Sequence, residues 1–532
     1  MKRVAVLIVL ALVAASCAST TPPFPTSQDL VSRAVQSMGG ADKLASIKTI
    51  SLKGTMSQWE PEQSKVASGP LRFACESTFE MVADTGARAA RTDWVRKFAY
   101  PAPRTFTYSE IVTPQTGYVA GIDSNGRTKQ SLESTPPAHT MSSLRLTATQ
   151  RELERASPLL FLDMQRNPGR LSTAMLSSVG GVTYPTVDYR LGNQTYTVMF
   201  DAGTGLPARI RTLDYDNIWG DVTYDLVLSD WQTFDGVRIA TTRKYELVGW
   251  PVAEIKITEA RLNAPVAAER LAIPVAFSTG ASRPAAGAVP YQWVIRRQFI
   301  GTYLDSDVPS YDTRASTGLR LVELAPGVQH VTGGSHHSLL VEMRDHLIVF
   351  DAPVSDWQSN WVLAAARAKY PNKPVKYLVL THHHMDHAGG LRAYAAQGAV
   401  LVVGQGTAAH YRRVLAVPFT RNPDLPARDL SKTEIIEVTD KRVFTDGQQT
   451  VEAYLIANPH ADGLLIGYIP AARLGFVTDL WSPGAGALPD KLNPNLAAVV
   501  AGVKSAGISP EKFAGGHGSV ADYAPLAALE GK

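Results

Sequence analysis

Four histidines and an aspartate fall within six consecutive positions, His382 to His387, just behind the apolar run Tyr377 to Leu380. The chain has 12 histidines in 532 residues, so this cluster is a motif and not a consequence of composition. The apolar run predicts a strand, and the pair Gly389-Gly390 predicts a tight passage into a helix. Side chains on one short loop between two such elements converge on a small volume. Read as His-x-His-x-Asp-His, the segment presents His382, His384, Asp386 and His387. Neutral imidazoles suit zinc, and a carboxylate suits a second, harder position. Any fold for this chain must therefore wrap a strand end, a loop and a helix start around a metal-binding point.

Only His139 precedes residue 330, so the imidazole chemistry belongs to the C-terminal part. The length leaves room for two to four domains with ordinary cores. A net charge of +4, with no basic run and no patch of interleaved aromatics, argues against a nucleic-acid partner.

Lys2 and Arg3 precede the apolar run Val4 to Val13, which is too short to span a bilayer and has the length of a secretory signal. The following Ala14-Ala15-Ser16-Cys17 resembles the lipobox of bacterial lipoproteins, with Ala14 where that family usually carries leucine. Conventional signal cleavage is the alternative. The expectation is a signal peptide over 1–16, a tether over 17–28 and export to the periplasmic side as an outer-membrane lipoprotein. The membrane would then be met only through lipid on Cys17. Cys75 is the one other cysteine, so a lipidated Cys17 leaves no intrachain disulfide.

Residues 29–263 read as a short helix, stopping at Gly39-Gly40, followed by a β-rich region. Runs such as "TYTVMF" and "VRIATTRKYEL", spaced by Gly, Pro and Asp turns, predict an antiparallel meander. "FDAGTGLPARI" beside "SDWQTFDGVRIA" resembles the half-barrel domains of bacterial lipoprotein carriers. Residues 264–316 contain "STGASRPAAGAVP", a linker composition. Over 317–532 strands alternate with helices of about ten residues, among them Trp357 to Lys369, which predicts α/β layers. The chain as a whole is expected to be α+β.

The C-terminal part resembles the metallo-β-lactamase superfamily, and "THHHMDHAGG" is especially similar to its glyoxalase II type. The resemblance runs from about Gly318 to Ala528 and includes Asp351 in "LIVFDAP", His460 in "ANPHADG", Asp479 in "LGFVTDLW" and His517 in "FAGGHGS". It implies an αββα sandwich and two zinc ions. His382, His384 and His460 would hold one ion, and Asp386, His387 and His517 the other, with Asp479 bridging. Asp351 would support the histidine loop, and His383 would be supporting or exposed. His336, His337 and His410 carry no spacing signal and read as ordinary histidines.

Histidine at 384, where diiron relatives carry glutamate, favours zinc over iron. Asp479 favours a glyoxalase-like dinuclear centre over the β-lactamase subclasses. Only 15 residues follow His517, too few for the helical glutathione-binding domain of glyoxalase II. The expected function is an exported zinc-dependent hydrolase in which hydroxide, formed at the ions, cleaves an ester, lactone or lactam of a small-molecule substrate. Asp386 would be the catalytic carboxylate. The motif segments hold few basic residues, which speaks against phosphodiesters and sulfates. The alternatives are a β-lactamase proper and a non-catalytic lipid- or lipoprotein-binding envelope protein. Substrate identity and oligomeric state are not written in these residues.

Overall fold

The computed structural model describes residues 24–60, 62–125, 127–278, 305, 318–334, 336–421 and 429–531. The signal and Cys17, and most of the stretch 279–317, lie outside the described residues. Among the described residues no helix is long and apolar enough to cross a membrane.

The first helix, Ser27–Ser37, starts at a capping box in which the Thr26 hydroxyl accepts from the Asp29 amide while the Asp29 carboxylate accepts from the Thr26 amide. Thirteen strands then form one sheet of two meanders. One meander opens with Thr49–Glu60, called β1, and Arg72–Asp84, called β2; the other ends with Trp250–Leu262, which joins the two meanders by pairing antiparallel with β1. Buried and exposed positions alternate along much of β1, as expected for a strand covered on one face. That face packs Leu52, Val187, Tyr196 and Ile239 against Val31 and Val35 of the first helix.

Two helices between the meanders, Ser143–Arg155 and Leu159–Arg166, have no counterpart in the sequence reading. The first buries Arg145, Arg151 and Arg155. Charged residues on the inward face erase the apolar 3.6-residue period by which such a helix is recognised.

The Arg145 guanidinium is fully buried and paired with Glu110, Asp305 and Asp123, the last at 2.6 Å. Asp305, inside the stretch read as linker, also lies 2.8 Å from His139. The cluster Asp123, His139 and Asp305 has ligand-like spacing, but Arg145 already serves as its cation. Burial pushes the Asp305 carboxyl up; Arg145 and His139 outweigh that and hold it well below the ordinary aspartate value. This stabilisation is present above the pH at which a free aspartate ionises and is lost as acid protonates Asp305. Arg145→Met should leave three buried carboxylates with only His139 beside two of them and cost about 3–5 kcal/mol, checked by denaturant unfolding.

The C-terminal part holds two further sheets. One has seven strands from Arg320–Ala325 to Ile435–Val438, and the other has six from Lys441–Thr445 to Val520–Asp522. Leu339, Ile348, Phe350 and Val379 of the first pack with Val451, Leu465 and Phe476 of the second in one dry core. The helices Asp356–Lys369, Leu391–Ala395 and Ala408–Ala416 share a core with the seven-stranded sheet. Pro494–Ala506 shares one with the six-stranded sheet. Strands Leu347–Phe350, Val375–Val379 and Val400–Gly404 are parallel neighbours, so their C-terminal ends open at the same edge, where loops gather a site. At that edge Gly389 and Gly390 are required by contact. A β-carbon on Gly389 would sit 2.3 Å from the Val354 carbonyl, and one on Gly390 would sit 2.0 Å from the Ser359 hydroxyl.

Candidate functional site

The strand Val375–Val379 delivers its chain into Thr381, whose amide donates to Asp351 Oδ1 at 2.7 Å and whose hydroxyl donates to Oδ2 at 2.9 Å. Pinned there, the next six residues turn into the one-turn helix Met385–Ala388. Asp351 also accepts from His387 Nδ1 at 2.9 Å. It is wholly buried, with φ +61. Asp479 likewise adopts a left-handed backbone, φ +55. Aspartate tolerates this conformation better than most residues, and at both positions it turns a carboxylate in among the histidines.

The seven residues singled out by motif come together. His382, His384, His460 and Asp479 form one group with one ligand atom from each within 4.8 Å of the others, and Asp386, His387 and His517 form a second with His336. Asp479 touches both: Oδ2 lies 2.9 Å from His382 Nε2, 3.0 Å from His460 Nε2 and 3.2 Å from His387 Nε2, while Oδ1 lies 2.6 Å from His517 Nε2.

These atoms fit a shared cation better than they fit each other. His382 Nε2, His387 Nε2 and Asp479 Oδ2 are buried, and despite their separations none is angled for a hydrogen bond. Buried polar atoms left in that state are costly unless a ligand satisfies them. Tautomers agree. His387 Nδ1 donates to Asp351, leaving Nε2 as the ligand nitrogen. His384 Nε2 donates to the Ser64 carbonyl at 2.9 Å, leaving Nδ1, 3.0 Å from His460 Nε2, as the ligand nitrogen.

Burial and the neighbouring His387 charge hold His382 down to about 3, and burial with the other histidines holds His384 well below the ordinary value. Burial raises the Asp386 and Asp479 carboxyls, but the surrounding histidines outweigh it and keep both well below the usual range. His387 is the exception. Burial favours its neutral form, yet Asp479 and Asp351 lift it well above a free histidine. Cation binding must displace that proton, so affinity falls as pH is lowered.

His336 corrects the sequence reading. It is buried beside the second group, with Nε2 3.2 Å from Asp386 Oδ2 and its ring 4.3 Å from that of His517. His383 is buried and donates from Nε2 to the Ser64 carbonyl at 2.8 Å, so it is not exposed. His410 binds Ser68 Oγ through Nδ1 at 2.7 Å, and His337 Nε2 lies 3.2 Å from the Gly334 carbonyl.

The β-rich domain also reaches this site. Gln63 Nε2 donates to Asp386 Oδ1 at 2.9 Å, and Tyr100 donates its hydroxyl to Gln63 Oε1. Arg72 Nη2 donates to the His460 carbonyl at 2.9 Å while its guanidinium stacks over the Tyr100 ring. The motif segments themselves lack such a cation. Nothing local in the sequence marks these residues, because their role depends on a docking between distant segments.

Residues 331–517 match the family described as the Metallo-beta-lactamase superfamily. No curated protein matches the chain. Among solved structures, the chain is similar to a metallo-beta-lactamase from Pontibacter korlensis at 19% identity, over 40% of this chain and 98% of that one, with a TM-score of 0.31. A metallo-beta-lactamase from Hirschia baltica matches at 18% identity over 40% and 95% of the two chains, TM-score 0.31. The stereoselective inverting sec-alkylsulfatase Pisa1 from Pseudomonas sp. matches at 17% identity over 40% of each chain, TM-score 0.30.

Proposed function

We propose that this chain, whose residues 331–517 form a domain of the metallo-β-lactamase superfamily, uses two zinc ions to hydrolyse an ester, lactone or lactam. Members of that superfamily are metal-dependent hydrolases. The observation that carries the reading is the pair of four-residue groups joined through Asp479, with buried ligand atoms lacking hydrogen-bond partners. We read the two sheets and their covering helices as the αββα arrangement, with the site at its edge.

His382, His384 and His460 would hold one ion and Asp386, His387 and His517 the other, with Asp479 between them. Bound there, the ions would acidify a water and polarise a substrate carbonyl. The residues do the rest. Asp351 holds the proton of His387 at Nδ1 and the Ser64 carbonyl holds that of His384 at Nε2, so both rings present a lone pair to the site. Asp386, kept ionised, accepts from Gln63 and His336 and anchors a cation.

The preference for an acyl bond rests on the scarcity of cations. Arg392 donates to the Val414 carbonyl and stacks over Phe419, and Arg72 is tied to the His460 carbonyl and Tyr100. Export and lipidation at Cys17 are proposed on the N-terminal residues alone; mass spectrometry of the mature N-terminus tests them, and an unmodified Cys17 ends the lipoprotein reading.

One observation favours the second reading, an amphiphile-binding protein. The β-rich domain holds a half-open cavity of about 980 Å³ lined by Leu52, Phe79, Trp94, Leu160 and Ile255 together with Arg243. A single panel separates the two. Zinc-loaded protein should hydrolyse esters, lactones or lactams, lose activity to chelators, and lose at least roughly a hundredfold in kcat/KM on Asp386→Ala. Turnover of phosphodiesters or sulfates alone would overturn the acyl assignment. Tight binding of a fluorescent fatty acid with no turnover at all would move the function to the cavity.

A further inference from the structure

The connection between β1 and β2 leaves its own sheet and enters the other half of the molecule. Gln63 and Ser64 are 8% and 4% exposed, although they lie on a loop of polar sequence. Such burial is unusual for a connection between strands. The contacts that achieve it converge on the segments bearing the site. Ser64 presents its carbonyl to both His383 Nε2 and His384 Nε2. Gln63 reaches Asp386, and the Lys65 carbonyl accepts from the Asp462 amide at 2.8 Å, two residues from His460. Arg72, opening β2, fastens the His460 carbonyl itself.

The chemistry of each contact is directional. A carbonyl can only accept, so Ser64 forces the His384 proton onto Nε2 and exposes Nδ1. The Gln63 amide is oriented from behind: its Oε1 accepts from the Tyr100 hydroxyl, so Nε2–H is the end turned to Asp386 Oδ1. With His336 Nε2 at Oδ2, both oxygens of Asp386 are held by hydrogen bonds. The loop's own contacts select the tautomer of one histidine and hold one oxygen of one carboxylate, and both belong to the candidate site.

We propose that the β1–β2 loop is a working part of the hydrolytic site, with Gln63 and Tyr100 as positioning residues that set Asp386, and Ser64 as the group that sets His384. This rests on the zinc-hydrolase reading above. The β-rich domain is then required for catalysis, and its relation to the C-terminal domain is that of an outer hydrogen-bond shell to its metal ligands.

Two near-isosteric variants of the full-length protein test it, Gln63→Met and Tyr100→Phe, each followed by zinc competition with a chromophoric chelator, by kcat and KM separately, and by thermal unfolding of the zinc-free form. Gln63→Met should weaken one of the two zinc ions by roughly ten- to a hundredfold and lower kcat with KM little changed. Tyr100→Phe should act in the same direction by a smaller factor. Zinc affinity and kcat unchanged in both variants would overturn the proposal, as would a lowered unfolding temperature with unchanged zinc affinity, the signature of packing alone. If the wild-type protein itself retains no zinc after loading, the zinc-hydrolase reading fails and this one with it, a result seen before any variant is measured.

Discussion

Asp479→Ala should abolish hydrolysis and strip the site of at least one of its two zinc ions. Among the described residues, Asp479 is the one side chain whose oxygens lie within 3.2 Å of four of the histidine ligands proposed here, two in each group. Removing it deletes the link between the groups and leaves four imidazoles, the buried His382 and His387 and the partly exposed His460 and His517, without the carboxylate they share. Loss of a metal ion's electrophilic role is worth several kcal/mol of transition-state stabilisation, and about 4 kcal/mol corresponds to roughly a thousandfold in rate. A drop of that size in kcat/KM, with zinc per chain falling to about one or less by elemental analysis, is the expected result. Two tightly held zinc ions and turnover within about tenfold of the parent would show that Asp479 does not join the groups.

Asp351→Asn should keep the fold and lose the site. Asparagine tolerates the left-handed backbone at φ +61, so no strain is added there. One amide oxygen can still accept from Thr381, but the Nδ2 end cannot accept from His387 Nδ1. The His387 ring must then move its proton to Nε2, the nitrogen needed as ligand, or leave a buried donor unsatisfied at about 1–3 kcal/mol. Zinc affinity should fall by roughly ten- to a hundredfold with unfolding little affected. Asp351→Ala should do worse on both counts, because it orphans Thr381 N and His387 Nδ1 together, leaves the Thr381 hydroxyl only Thr478 and His382, and places a residue unsuited to positive φ there. An Asn variant with parental zinc affinity would show that Asp351 does not set the tautomer.

Part of the candidate site was legible in the sequence, for a local reason. His382, His384, Asp386 and His387 sit on six residues between a strand and a helix, and such a loop brings its own side chains together whatever the rest of the chain does. His460, Asp479 and His517 were reachable only through resemblance, since each stands alone on its loop. The β-rich character of residues 29–263 was legible from strand runs and turn residues. The helices Ser143–Arg155 and Leu159–Arg166 were not, because buried Arg145, Arg151 and Arg155 remove the apolar period that announces a helix.

The metal-seeking loop and the order of strands and helices around it follow from the sequence by itself, because short-range chemistry and periodicity are enough to specify them. Only the tertiary structure decided that His336 joins Asp386, that Ser64 holds His384 and that Tyr100 braces Gln63 against Asp386. The Gln63–Asp386 contact spans 323 residues of chain, and over that distance no spacing rule acts. Which loop faces which histidine is set by how the β-rich domain meets the C-terminal part, where Ile218 enters a core of the latter, a property of the summed packing and of no single segment.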